Sequence, residues 1–70
     1  MERKLVMSSN LHSVGYDPDA AVLEIAFASG GVYQYSGVPS HVYLGLMSAC
    51  SKGSYHHDYI RDRYPCRRVG

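Results

Sequence analysis

The strongest constraint on the fold is an alternating residue pattern between residues 21 and 35. Apolar side chains occupy every second position of residues 21–28, with Glu24 and small residues between them. This period of two is typical of a β-strand with one face on a core. Residues 29–31, Ser-Gly-Gly, reach the positive φ angles of a tight turn, and residues 32–35 return as the next strand. The apolar positions are Ala21, Leu23, Ile25 and Phe27.

The neighbouring segments predict one strand before this hairpin and two helices after it. Residues 11–16 form a short strand that ends in the turn-forming Asp-Pro-Asp of residues 17–19. Pro39 suits the first position of a helix that runs to about Ala49. An apolar stripe at helical spacing then covers the sheet. Its members are Val42, Tyr43, Leu46, Met47 and Cys50.

The C-terminal quarter predicts a second, shorter helix. Gly53 suits the C-terminal end of the first helix, and Ser54 can cap a second helix that continues to Arg63. Pro65 disfavours helical geometry in the residue before it, so residues 66–70 are expected to be a tail. We therefore expect an α+β domain over residues 11–70, with a three-stranded antiparallel meander packed by both helices. Residues 1–10 are an N-terminal arm or an edge strand.

The register of the central hairpin decides where Tyr33 and Tyr35 point. A two-residue loop pairs Phe27 with Gln34 and sends both tyrosines to the solvent face as a stacking platform. A three-residue loop pairs Phe27 with Tyr33 and Ile25 with Tyr35, which places the tyrosines over the core and Gln34 in water. The polar Gln34 favours the second register.

The size of the chain raises the question of what stabilises it. A 70-residue domain has a small core, and such domains often add a disulfide, a metal or a second subunit. The chain shows no signal peptide or membrane span, so we expect a cytoplasmic protein with free thiols. Four soft ligands lack the spacing of a zinc site, and no metal or cofactor is expected. They are Cys50, His56, His57 and Cys66, of which Cys50 is expected in the core. An apolar arm at residues 5–9 then favours a homodimer.

Charge is distributed unevenly along the chain. Residues 5–50 contain three acidic residues and no lysine or arginine, whereas residues 51–70 contain five basic and two acidic residues. Such a basic end is typical of a surface that faces a polyanion. Basic and aromatic side chains in it could contact phosphates and stack on bases, although the tyrosines could equally dock the second helix. The candidate nucleic-acid-binding residues are Tyr33, Tyr35, Lys52, Tyr55, Arg61, Arg63, Arg67 and Arg68.

Several segments together resemble the KTSC domain, a module found at the C-terminus of some lysyl-tRNA synthetases and alone in bacterial proteins. They are the Leu-Glu-Ile-Ala-Phe strand, Gly-Gly-Val-Tyr-Gln-Tyr-Ser-Gly-Val-Pro and Ile-Arg-Asp-Arg-Tyr. The family's central Tyr-x-Tyr is matched by residues 33–35. The resemblance implies RNA binding but not aminoacylation. His56-His57 and Cys66 depart from the family pattern, where an aromatic-asparagine pair and an aromatic residue are more usual.

The sequence therefore predicts a small binding module and not an enzyme. No nucleophile, base and orienting group are spaced for catalysis, and the Gly-Gly turn joins two strands instead of leading into a helix. The expected partner is RNA, with tRNA or DNA as alternatives. A protein-interaction or dimerisation module without nucleic-acid binding is the second interpretation.

Overall fold

A computed structural model describes all of residues 1–70 and shows an α+β domain with a five-stranded sheet. All neighbouring strands are antiparallel, and their order in the sheet follows the chain. Two helices lie between the fourth and fifth strands in sequence. The elements are β1 (Lys4–Leu5), β2 (Leu11–Asp17), β3 (Val22–Phe27), β4 (Val32–Ser36), α1 (Ser40–Ser48), α2 (Lys52–Tyr59) and β5 (Cys66–Arg68).

The three predicted strands are present, and two further strands extend the sheet at its edges. The N-terminal segment forms an edge strand, as one of the two interpretations expected, with Lys4 opposite Val14. The predicted C-terminal tail is wrong, because β5 pairs with β4 and places Arg67 opposite Gln34. The amide of Ser36 donates to the carbonyl of Pro65, so pairing begins before β5 itself. Without β5 these groups on the outer edge of β4 would have no backbone partner.

The junction between the helices also differs from the prediction. Helix α1 ends near Ala49 as expected, but Gly53 lies inside α2 and does not end α1. The hydroxyl of Ser51, not Ser54, caps α2 by accepting from the Ser54 amide. Lys52 donates to the carbonyls of Met47 and Ala49, each at 3.1 Å, and so satisfies the end of α1. Helix α2 ends at Tyr59, four residues earlier than predicted.

The core lies between one face of the sheet and the two helices. Leu46 from α1 and Ile60 after α2 are fully buried against Ile25 of β3. Cys50 is exposed, contrary to expectation, because α1 has ended before the apolar stripe reaches it. Neither helix has the length and apolar content needed to span a membrane. The other fully buried side chains are Leu11, Val14, Leu23 and Val38.

The N-terminal residues cover part of the second face of the sheet. A Cβ at Gly15 would lie 2.5 Å from the carbonyl oxygen of Glu2, so glycine allows this close approach. Arg3 donates to Glu24 at 2.5 Å and to Ser13 at 3.1 Å. Burial alone would raise the pKa of Glu24, but hydrogen bonds from Gln34 and Arg3 and the Arg3 charge outweigh it and lower the pKa. Glu24 is therefore a buried, paired carboxylate.

Candidate functional site

The central hairpin places the Tyr-x-Tyr segment over the core. Leu23 pairs with Tyr35, and Ile25 pairs with Tyr33. Neither predicted register is correct, because pairing is shifted by two residues from the three-residue-loop register. A shift of two keeps every side chain on the same face, so the tyrosines point to the core as that register expected. Gln34 is half-buried and not free in water, because it donates to Glu24 at 2.8 Å.

A cleft of about 350 Å³ opens between the hairpin and α2, and we call it the aromatic cleft. Its wall consists of four rings in edge-to-face contact. Phe27 lies 5.7 Å from Tyr33 and 5.1 Å from His56, and Tyr35 lies 5.6 Å from His56, measured between ring centroids. This packing fixes the ring orientations and presents a preformed surface. The remaining lining residues are Ser29, Arg61, Asp62 and Cys66.

A hydrogen bond at the base of the aromatic cleft joins two groups that are neutral near pH 7. The Tyr35 hydroxyl and Nε2 of His56 are 2.8 Å apart. Burial raises the pKa of Tyr35 to about 12. Burial, with the nearby charge of Arg61 and with His57, lowers the pKa of His56. The cleft base therefore offers hydrogen-bonding edges without a fixed charge, which suits recognition of a neutral ring.

One arginine lines this cleft, and a second lies beside it against the ring of Tyr33. The guanidinium carbon of Arg68 is 6.0 Å from the Tyr33 ring centroid, at the limit of a cation–π contact. Its Nε donates to the Gly70 carbonyl at 2.7 Å, which holds the side chain in place. Arg61 is exposed and lines the cleft beside His56. The aromatic cleft thus combines stacking surfaces with the charges of Arg61 and Asp62, and Arg68 adds a positive charge beside Tyr33.

The structure does not bring the other predicted basic residues to this cleft. Arg67 alternates with Arg68 along β5 and shares the opposite face of the sheet with Gln34. Lys52 is engaged at the end of α1. Arg63 lies in a separate cleft. The predicted basic region is therefore divided among four places on the surface, of which the aromatic cleft is one.

This second cleft has a volume of about 510 Å³, and we call it the tyrosine cleft. Tyr55 and Tyr59 pack with 4.8 Å between centroids and their planes tilted by 43°. The Tyr55 phenol lies over α1, so close to Gly45 that a Cβ there would overlap its oxygen. Tyr55 therefore docks α2 on α1, as the alternative interpretation of these tyrosines expected. The cleft is lined by His41, Val42, Tyr55, Tyr59, Arg63 and Tyr64.

Sequence reasoning missed Phe27 and His56 as members of the site. Phe27 could have been found, because it shares a strand face with Ile25 in every register that places the tyrosines over the core. His56 had no such signal, since its position depends on how α2 docks. The four residues weighed for zinc do not converge, and no group of three or more His, Cys, Asp or Glu side chains is placed to hold a metal ion.

Comparison with known proteins agrees with this architecture. A crystal structure of a KTSC domain protein from Yersinia pestis matches with a TM-score of 0.96 and 45% identity, over 99% of this chain and 97% of that one. A protein of Stutzerimonas stutzeri is 38% identical over 91% of this chain and 90% of its own length. A lysine–tRNA ligase of Nostoc sp. is 39% identical over 70% of this chain, which corresponds to 9% of the ligase. The family model of the KTSC domain matches residues 7–64. The chain belongs to the KTSC domain family.

Proposed function

We propose that this domain binds single-stranded RNA at the aromatic cleft. The observation that carries the proposal is a cleft walled by rings, with Arg61 in its lining and Arg68 against the Tyr33 ring. Unpaired bases stack on aromatic side chains and on guanidinium planes, while arginines contact the phosphates. The cleft volume of about 350 Å³ lies in the range of small-ligand sites, roughly 300–1,000 Å³.

The similarity to a lysine–tRNA ligase supports the same proposal. The ligase is named for its action on tRNA, and the similar segment is a small part of it. Tyr33 contributes to the site as the support of Arg68, and Tyr35 contributes by holding His56 at the cleft base. A base enters beside Phe27 and stacks on the exposed guanidinium of Arg68. Arg61 contacts the adjoining phosphate.

Adjacent arginines on β5 provide a matched test. Arg68 lies at the aromatic cleft and Arg67 on the opposite face, so Arg68→Gln and Arg67→Gln remove the same charge on two sides of one strand. Fluorescence anisotropy with a labelled single-stranded RNA would be recorded at salt concentrations from about 50 to 200 mM. The affinity of the wild type should fall with salt. Arg68→Gln should weaken binding at every salt concentration, whereas Arg67→Gln should leave it nearly unchanged. Arg61→Gln should reduce the salt slope by about 0.7, the value for one phosphate contact to a single strand.

The outcomes separate the parts of the proposal. Absence of binding at the lowest salt, or an affinity that does not change with salt, contradicts RNA binding by this domain. Equal effects of the two substitutions contradict the assignment to the aromatic cleft. Stronger binding of a single-stranded DNA of the same sequence would contradict the preference for RNA, since only RNA carries the 2′-hydroxyl.

A further inference from the structure

The tyrosine cleft is an aromatic surface that binding at the aromatic cleft does not use. Tyr59 is 57% exposed, a high value for a large ring. It packs on Tyr55, which is itself anchored over Gly45, so the exposed ring is held in a defined orientation. A rigid, exposed ring is the requirement for stacking a flat ligand at low entropic cost.

One helix and the turn after it separate the two clefts. His56 of α2 faces the aromatic cleft, whereas Tyr55 and Tyr59, one helical turn apart, face the tyrosine cleft. The turn repeats this division, since Arg61 lines the first cleft and Arg63 lines the second. Each cleft therefore has its own rings and its own guanidinium, and the two clefts adjoin along α2 and the turn after it.

We propose that the two clefts bind bases of one continuous RNA strand, whose phosphates cross the turn that contains Arg61 and Arg63. This inference rests on the proposed function. A polyanion is favoured as the occupant because both arginines are exposed, and Arg63 has no ion-pair partner. The nearest carboxylate to Arg61 is that of Asp62, 4.0 Å from its Nε.

Asp62 gives the proposal a distinctive signature. Its side chain is 92% exposed and lies between the two arginines in sequence, where it would repel a crossing phosphate. Its backbone has a φ of 60°, a conformation that aspartate and asparagine tolerate better than other side chains. Because Asp62 also lines the aromatic cleft, Asp62→Asn should keep the turn and tighten the binding of all RNAs, but it should tighten an RNA long enough to cross the turn more than a short one.

The test is a length series of labelled oligouridylates from two to twelve nucleotides, measured by fluorescence anisotropy at about 50 mM salt. Wild-type affinity should rise in a step at the length that first reaches both clefts, because the second contact then becomes intramolecular. Tyr59→Ala should remove this step and weaken only the longer RNAs, by about 5- to 150-fold, the range expected for one lost base stack. Tyr59→Phe keeps the ring and should retain the step.

The outcomes distinguish this inference from the proposed function. If no RNA of any length binds, the proposed function fails and the inference fails with it. If short and long RNAs bind with the same affinity, or Tyr59→Ala binds the long RNAs like the wild type, only the two-cleft inference fails. Arg68→Gln provides the comparison, since it should weaken short and long RNAs alike. Unchanged binding of long RNA by Asp62→Asn would exclude a phosphate path over the turn.

Discussion

Replacing Arg3 by alanine should destabilise the domain in a pH-dependent way. Arg3 is the only cation paired with the buried carboxylate of Glu24, and it also bonds to Ser13. A hydrogen bond to a charged group contributes about 1.5–3 kcal/mol and a neutral one about 0.5–1.5 kcal/mol. Because 34% of the Arg3 side chain is exposed, water replaces part of the loss. We expect Arg3→Ala to cost about 2 kcal/mol at pH 7.

The sign of the pH dependence follows from the pKa of Glu24. In the wild type this pKa is lowered from 4.5, so the stabilisation is present above that value and is lost as the pH falls through the folded-state pKa. Without Arg3, burial has a larger weight and the pKa of Glu24 rises, so the variant becomes relatively more stable as the pH falls. As the pH falls, the wild type loses stability and the variant gains it, so both effects make the stability difference between them smaller. The difference between wild type and variant should therefore shrink as the pH falls, towards the contribution that the Arg3–Ser13 hydrogen bond still makes.

Urea unfolding at pH 7 and at about pH 3.5 measures this difference directly. Lys4→Ala is the control, since Lys4 is the exposed neighbour in β1. A double-mutant cycle with Glu24→Gln isolates the coupling between the two side chains. A loss below about 0.5 kcal/mol at pH 7, within the range of ordinary surface substitutions, would refute the role assigned to Arg3. A difference that is the same at both pH values would refute the role assigned to the carboxylate.

Three further predictions concern the core, the cleft base and self-association. Leu46→Ala should lower the free energy of unfolding in urea by about 2–5 kcal/mol, because Leu46 is fully buried. Burial lowers the pKa of His56, so the folded state resists protonation of this side chain. The stability of the domain should therefore fall as the pH drops below 6.5. His56→Gln should make the melting temperature less dependent on pH in this range. Sedimentation equilibrium should show a dimer of the wild type. Leu5→Ser with Met7→Ser should dissociate this dimer, since both side chains are exposed. A wild-type mass of 7.8 kDa would exclude the dimer.

The strands and the main helix could be predicted because their signals are local. Alternation in β3 and helical spacing in α1 each arise from a single face packed on the core. The sequence predicts the end of α1 near Ala49, as observed, but it predicts Ser54 as the next cap because Gly53 suits the end of a helix. Ser51 offers the same side-chain acceptor three residues earlier. Choosing between them requires knowing that Lys52 closes α1, which is a contact in space.

The candidate site was predicted only in part, for a similar reason. Tyr33 and Tyr35 stand out in sequence, and their face could be inferred from Gln34 between them. Phe27 joins them through the hairpin register, whereas His56 joins them through the docking of α2. The basic residues were grouped by sequence proximity. A tail would leave neighbouring arginines free to act together, but a strand sends them to opposite faces.

The backbone and the side chains of β5 should contribute differently to the stability of the sheet edge. The sequence predicts a tail over residues 66–70, because Pro65 ends the preceding helix. Charged, short strands are nevertheless typical of sheet edges, where they prevent pairing with other molecules. In the structure Val32 donates to Gly70 and accepts from Val69, so the pairing of β4 and β5 extends beyond Arg68.

Arg67→Ala with Arg68→Ala should therefore change the melting temperature little, because both side chains are exposed and the backbone pairing remains. Deletion of residues 65–70 should instead lower it strongly. The deletion removes the partners of the Ser36 and Val32 amides and uncovers the outer edge of β4 beside Tyr35. Thermal unfolding followed by circular dichroism compares the two proteins. Equal melting temperatures for the deletion and the wild type would mean that β5 contributes nothing to the fold, whereas equal losses in both variants would mean that the arginine side chains, and not the strand, stabilise this edge.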